Sequence, residues 1–322
     1  MFFAETTYYL LILQTGIVEV YNSNMQVLWM VPAGGVLGIL LTFKLKNYQH
    51  KVLSISLFIQ ILLIYFYPDF NSITLFMLGL FSGLIAPILI YQIKKLKTVF
   101  IVLSLSYVVG TFGIMVLAQD RFLVAIVLSI LAFISSLFIH SIKDKTDTQM
   151  ITIVDFMIIF AWLLLDSILF ESLIRDTLSI WKNSEFVWII ASSHLLGLAI
   201  AYKLHSYKNI NYLVIGLFAL SYLFYSLGLQ YPLAVVYPII ISFYNVIILK
   251  RFIQLPFLWL CFGAIGLWVS AGIGLFTALQ HLYVIGWIVI VVLLLLDNKK
   301  IADFINNVLE SVTKHTLLKD TK

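Results

Sequence analysis

Charge is scarce in this chain. Asp, Glu, Lys and Arg make up 11% of its 322 residues, against roughly a quarter in soluble domains, and no soluble domain has room to exist beside the apolar stretches. Cysteine occurs once, as Cys261, so an intramolecular disulfide and a cysteine-rich metal cluster are excluded, and inside an apolar segment this thiol reads as a small packing residue. There is no nucleotide-binding loop, no nucleophile elbow and no HExxH zinc pair; no enzyme chemistry and no cofactor are expected. The opening MFFAETTYYLLILQ lacks the basic region and small-residue cleavage site of a signal peptide, so the first segment is expected to be a retained helix.

What the chain has in excess is apolar surface, 62% of residues. It falls into twelve runs, at 3–21, 25–43, 52–68, 73–93, 98–118, 122–142, 150–173, 186–204, 210–229, 232–249, 255–278 and 281–297. Each is close to the roughly 17–25 residues that carry a helix across a hydrocarbon core of about 30 Å, where a helix satisfies all its backbone polar groups internally. The expected fold class is all-α integral membrane, with twelve transmembrane helices.

The placement of charge sets an orientation. With a cytoplasmic amino terminus, the loops and tail on the cytoplasmic side carry 17 of the 20 Lys and Arg, and only Arg121, Arg175 and Lys182 fall on the other. That is the positive-inside asymmetry, and it requires an even helix number with both termini cytoplasmic. It also accounts for the net charge of +5 without nucleic acid as a partner.

The second six segments repeat the first six. Leu37, Gly38, Phe43, Lys44, Leu45 and Tyr48 match Leu196, Gly197, Tyr202, Lys203, Leu204 and Tyr207 at a constant offset of 159 residues. Gly110 and Gly113 in the fifth segment pair with Gly263 and Gly266 in the eleventh, and Gln14 and Glu19 in the first with Asp166 and Glu171 in the seventh. Six is even, so both halves enter the membrane the same way and the repeat is parallel; an inverted five-plus-five arrangement is excluded. The expected units are a bundle over 1–142, a linker over 143–149, a bundle over 150–297 and a tail over 298–322.

Two six-helix bundles, a basic turn after the second helix echoed after the eighth, and glycine-rich fifth and eleventh helices resemble the major facilitator superfamily of transporters. The resemblance covers residues 1–297. The turn has Gly38 and Lys44 but lacks the family's Asp and second Gly, with Thr42 and Phe43 where the Asp would stand, so the chain looks like a divergent, compact member. The resemblance implies alternating access and a central cavity lined by the first, fourth, seventh and tenth helices, which would bring Asp166, Glu171 and Glu19 to the substrate.

Ionisable side chains within spanning helices cost on the order of 2.5–3.5 kcal/mol by insertion scales and so mark partners, wet cavities or function. Asp166 is the leading proton-coupling candidate, followed by Glu19 and Glu171; Glu171 also stands four residues from Arg175, at pairing distance on one helix face. Asp155 is placed at the cytoplasmic start of the seventh helix, and Glu5 at the membrane interface. Gln14, Ser193, His194, Tyr237, Tyr244 and Asn245 are candidate substrate-binding groups, offering hydrogen bonds at cavity depth. Pro32, Pro87 and Pro238 fall inside spans, where they kink helices.

After the last span, Ile301, Phe304, Ile305, Val308, Leu309 and Val312 recur at helical spacing, an amphipathic helix expected on the cytoplasmic membrane face and available to a cytoplasmic partner. The function expected is secondary active transport of a small cationic, zwitterionic or neutral solute, proton-coupled, across an inner membrane, with the solute, protons and the bilayer as partners. A copper importer of the same fold is one alternative: Met157 and His194 are present, though without the MxxxM and HxxxM spacings. A non-transporting scaffold is the other.

Overall fold

A computed structural model describes residues 1–21, 25–93, 95–139, 150–175 and 178–296. The linker over 143–149 and the tail over 298–322, with its amphipathic pattern, lie outside the described residues. Among the described residues the chain is all helix and turn. Helix α1 runs as Phe2–Tyr8, a π-helical stretch Tyr9–Gly16 and Ile17–Tyr21, and a single turn, Met25–Leu28, leads into α2, Met30–Lys44. Then come α3 (Gln49–Ile64), α4 (Ser72–Gln92), α5 (Leu96–Met115), α6 (Arg121–Leu137), α7 (Ile153–Arg175), α8 (Val187–Leu204), α9 (Ile210–Ser226), α10 (Gln230–Phe252), α11 (Phe257–Leu279) and α12 (Val284–Leu296).

Local chemistry explains the ends. The Asn71 side chain caps α4 by accepting from the Thr74 N–H. Thr152 and Asp155 form a reciprocal capping box on α7, each side chain accepting from the other's backbone N–H, which puts Asp155 at the helix start as the sequence suggests. Gly228, at φ 71°, closes α9 in the left-handed conformation open to glycine, and Pro256 precedes the first turn of α11. Pro32 lies in the first turn of α2, where its missing N–H leaves no bond unmade. Pro87 and Pro238 are interior.

Among the described residues, seven helical stretches are long and apolar enough to cross a membrane, at Ser72–Gln92, Leu96–Met115, Ala118–Leu137, Ile153–Arg175, Ser184–Leu204, Gln230–Phe252 and Phe257–Leu279. The other apolar runs give shorter elements. Helix α2, with 15 residues, covers only about 22 Å at 1.5 Å per residue, because the chain spends residues 25–29 turning before it starts. Helix α1 is divided by its π-helical middle.

Most helices touch in matched pairs. In the first half α1 packs on α5 and α6, α2 on α4, and α3 on α4 and α6; in the second, α7 packs on α11 and α12, α8 on α10, and α9 on α10 and α12. Across the seam between the halves, α5 lies on α8 and α2 on α11. The tightest crossing is α2 on α4, and glycine is what permits it: a Cβ on Gly38 would stand 2.1 Å from the Leu80 carbonyl oxygen. The α8–α10 crossing has the same construction, with a Cβ on Gly197 falling 2.5 Å from the Ile239 carbonyl oxygen. The second contact is the first displaced by 159 residues, the offset already present in the sequence.

Candidate functional site

Asp166 is 3% exposed, in the middle of α7. Its carboxylate accepts from two phenols of α10: Tyr237 donates to Oδ1 at 2.9 Å and Tyr244 to Oδ2 at 2.8 Å. The two tyrosines are seven residues apart, about two helical turns, so both rings project from one face of α10 toward α7. The Tyr237 hydroxyl also lies 3.0 Å from the Asp166 carbonyl oxygen, and Tyr222 of α9 donates to the neighbouring Leu165 carbonyl at 2.9 Å. Among the described residues no Lys, Arg or His forms an ion pair with Asp166. Neutral donors spread its charge without cancelling it.

One residue beyond Tyr244, Asn245 turns the other way and donates to the Tyr107 hydroxyl of α5 at 2.8 Å and to the Ile241 carbonyl at 2.9 Å. Tyr107 belongs to the first half, so this bond crosses the seam. The Tyr107 ring stacks on His194 of α8 with centroids 4.4 Å apart and planes 2° from parallel; Trp181, in the segment before α8, lies 6.3 Å from the imidazole and 20° from its plane. His194 Nδ1 and the Ser242 hydroxyl are 2.7 Å apart, which fixes the ring against α10. Ser193 is buried beside it in the chain, but the partner of the imidazole is Ser242.

Tyr107, Trp181 and His194 line a cleft at the seam, walled also by Gln14 of α1, Thr111 of α5 and Phe170 of α7. The free volume is about 30 Å³, room for a water or two. The wall carries no charge. Its polar groups include the Gln14 amide, the Tyr107 hydroxyl and the indole N–H of Trp181, buried with no partner among the described residues.

The remaining acids sit in other settings. Glu171 Oε2 accepts from Arg175 Nη1 at 2.6 Å, with both side chains close to nine-tenths buried. Glu19 accepts two hydrogen bonds from Arg121 of α6, at 2.9 and 3.3 Å; its own side chain is 35% exposed, that of Arg121 4%. Asp155 lies 3.6 Å from Arg251 at the last turn of α10. Glu5 departs from the interfacial position expected of it: it is 6% exposed and accepts from Gln60 of α3 at 2.9 Å, because the first turns of α1 pack against neighbouring helices instead of meeting water.

Asp166, Tyr237 and Tyr244 thus come together, His194 and Gln14 line the adjoining cleft, and Asn245 reaches it through the Tyr107 hydroxyl. Sequence reasoning passed over Tyr107, Ser242 and Trp181. Tyr107 had a signal, since it stands with Ser106 one turn before Gly110 in an apolar helix. The chain matches no protein-family model and none of the curated proteins with which it was compared.

Proposed function

We propose that the chain is a secondary active transporter that carries a small solute by rocking two six-helix bundles about the seam, with Asp166 exchanging a proton as the seam opens and closes. The observation that carries this reading is the matched helix packing. Each principal contact within helices α1–α6 has a counterpart six helices later, and the two seam contacts, α5 on α8 and α2 on α11, exchange with each other when the halves are exchanged. A parallel repeat related by an axis along the membrane normal behaves in this way, and it offers two equivalent hinged surfaces around a central site. The common glycine crossing at an offset of 159 residues supports the duplication.

Asp166 is suited to the coupling role because its partners are phenols. When the carboxylate takes up a proton, the two charge-assisted hydrogen bonds from Tyr237 and Tyr244 weaken. Both belong to α10, and the residue after Tyr244 holds Tyr107 across the seam. A proton at Asp166 therefore alters the seat of α10, and α10 carries the change to the contact between the halves. The uncharged wall of the cleft favours a neutral or zwitterionic solute, or a cation that reaches Asp166 itself. In this reading the bundles are residues 1–142 and 150–297, and both termini lie on the side that holds 17 of the 20 basic residues.

The test is thermal unfolding of the purified protein against amino acids, sugars, nucleobases, polyamines and metal ions, beside Asp166→Asn, followed by flux of any stabilising compound into proteoliposomes under a pH gradient. A ligand that binds only the folded state raises the midpoint. The expected result is a compound whose uptake follows the gradient in the wild type and not in Asp166→Asn. Uptake indifferent to both the gradient and the substitution removes the coupling role, and a compound that binds without ever crossing removes transport.

A further inference from the structure

Away from the seam, α1 and α3 enclose a polar node that the transport reading leaves unused. Gln60 is the twelfth residue of the 16-residue α3 and is fully buried, and its Nε2 donates to Glu5 Oε2 at 2.9 Å. Its amide oxygen has no partner among the described residues, and neither has the hydroxyl of Tyr8, fully buried one turn along α1 from Glu5. The carboxyl of Glu5 and the amide of Gln60 thus adjoin, and the phenol of Tyr8 belongs to the next turn of the same helix as Glu5. The other charged group facing Glu5 is the amino terminus of Met1, half-buried itself. Among the described residues no Lys, Arg or His side chain pairs with Glu5. Directly after Tyr8, α1 widens into its π-helical stretch, Tyr9–Gly16, a distortion that recurs beside functional sites.

We propose that Glu5, Gln60 and Tyr8 form a binding site for a monovalent cation, a proton or Na⁺. A carboxylate removed from water needs compensating positive charge, and one amide N–H with the half-buried Met1 amino group supplies only part of it. Both occupants neutralise the acid, and each gives at least one of the orphan oxygens a partner. Na⁺, a hard cation, takes oxygen ligands of these kinds; a proton lets the Glu5 hydroxyl donate to one of them. The site lies within the first half and does not rest on the transport reading.

The experiment uses the full chain in detergent. Unfolding midpoints are measured from mildly acidic to mildly alkaline pH, in NaCl and in choline chloride, for the wild type, Glu5→Gln and Tyr8→Phe. With Na⁺ as occupant, NaCl raises the wild-type midpoint over choline chloride by roughly 2–4 °C, and Glu5→Gln abolishes the difference. With a proton as occupant, the salts are equivalent and the wild type falls relative to Glu5→Gln as pH rises, because deprotonation returns an uncompensated carboxylate to the buried node. Wild-type and Glu5→Gln midpoints running parallel in both series would overturn the proposal. If Glu5→Gln does not fold, Tyr8→Phe carries the test, since it removes only an unpartnered hydroxyl: a weakened cation response supports the site, and an unchanged one overturns it.

Discussion

On α7 the carboxylate of Asp166 rests on two phenols with no cation beside it, while the matching position on α1 holds Gln14, an uncharged amide on the wall of the cleft. Five residues further along, the two helices agree, for Glu171 pairs with Arg175 and Glu19 with Arg121. The glycine crossings recur in both halves and so belong to the framework, whereas the ion pairs are built differently, Glu171–Arg175 within α7 and Glu19–Arg121 between α1 and α6. The acid at the seam occurs in one half alone. In the proposed reading, a repeated framework with an unrepeated charge places proton exchange on one side of the hinge.

The largest effect is expected where the framework is tightest. Gly38→Val drives a Cβ into the Leu80 carbonyl, where neither backbone can yield, and Gly197→Val does the same to Ile239 from slightly further off. Ordinary overpacking costs about 1–3 kcal/mol; here the obstacle is backbone that cannot yield, and the loss is expected to exceed that of a buried ion pair. Size-exclusion profiles of the detergent-solubilised protein should show Gly38→Val largely lost to aggregation and Gly197→Val less so; equal, mild effects would mean that the two crossings are not comparably built.

Next come the ion pairs. Arg175→Ala strands a buried Glu171, and breaking such a pair costs about 3–5 kcal/mol. Arg121→Ala leaves Glu19, already 35% exposed, free to turn to water, at about 1 kcal/mol. Chemical denaturation of the two variants should reproduce that order, and the reverse would show that the outer pair is the supporting one. Gln14→Glu, which makes the halves more alike, sets a charge in a cleft whose wall carries no cation and should destabilise by about 2.5–3.5 kcal/mol. Tyr244→Phe, which removes one charge-assisted donor from Asp166, should lower stability by about 1.5–3 kcal/mol; a loss as large as that of Arg175→Ala would make Tyr244 part of the framework. Asp166→Asn should change stability by no more than about 1 kcal/mol.

Much of the framework was legible in the sequence because it is written in local signals. Apolar runs mark the helices, and Asn71, Thr152, Gly228 and Pro256 punctuate them. Gly38 and Gly197 already stood at the offset that the packing reproduces. Helix length was less legible, since hydropathy alone does not show that residues 25–29 turn before α2 begins or that α1 changes its winding at Tyr9. Of the site, Asp166, Tyr237 and Tyr244 could each be singled out as polar groups in apolar helices. Their union could not, because it depends on which faces of α7 and α10 meet. Tyr107 and Gln60 were hidden for the same reason: an amide or a phenol in a helix has no direction until its neighbours are known. Glu5 was misplaced because nearness to the chain start does not determine whether a side chain meets water or another helix.

The central claim is that a proton at Asp166 shifts the two halves about the seam. Helices α5 and α8 run antiparallel along it, with Phe100 against Tyr202 near one end and Phe112 against Trp188 near the other. Spin labels at the exposed Lys97 and Lys203, and in a second sample at Leu117 and Glu185, report the width of each end by electron–electron distance measurement in lipid nanodiscs. The account predicts that acidification widens one end while narrowing the other, and that Asp166→Asn holds both at one setting whatever the pH. Distances that stay fixed with pH in the wild type, or that move identically in Asp166→Asn, would contradict it.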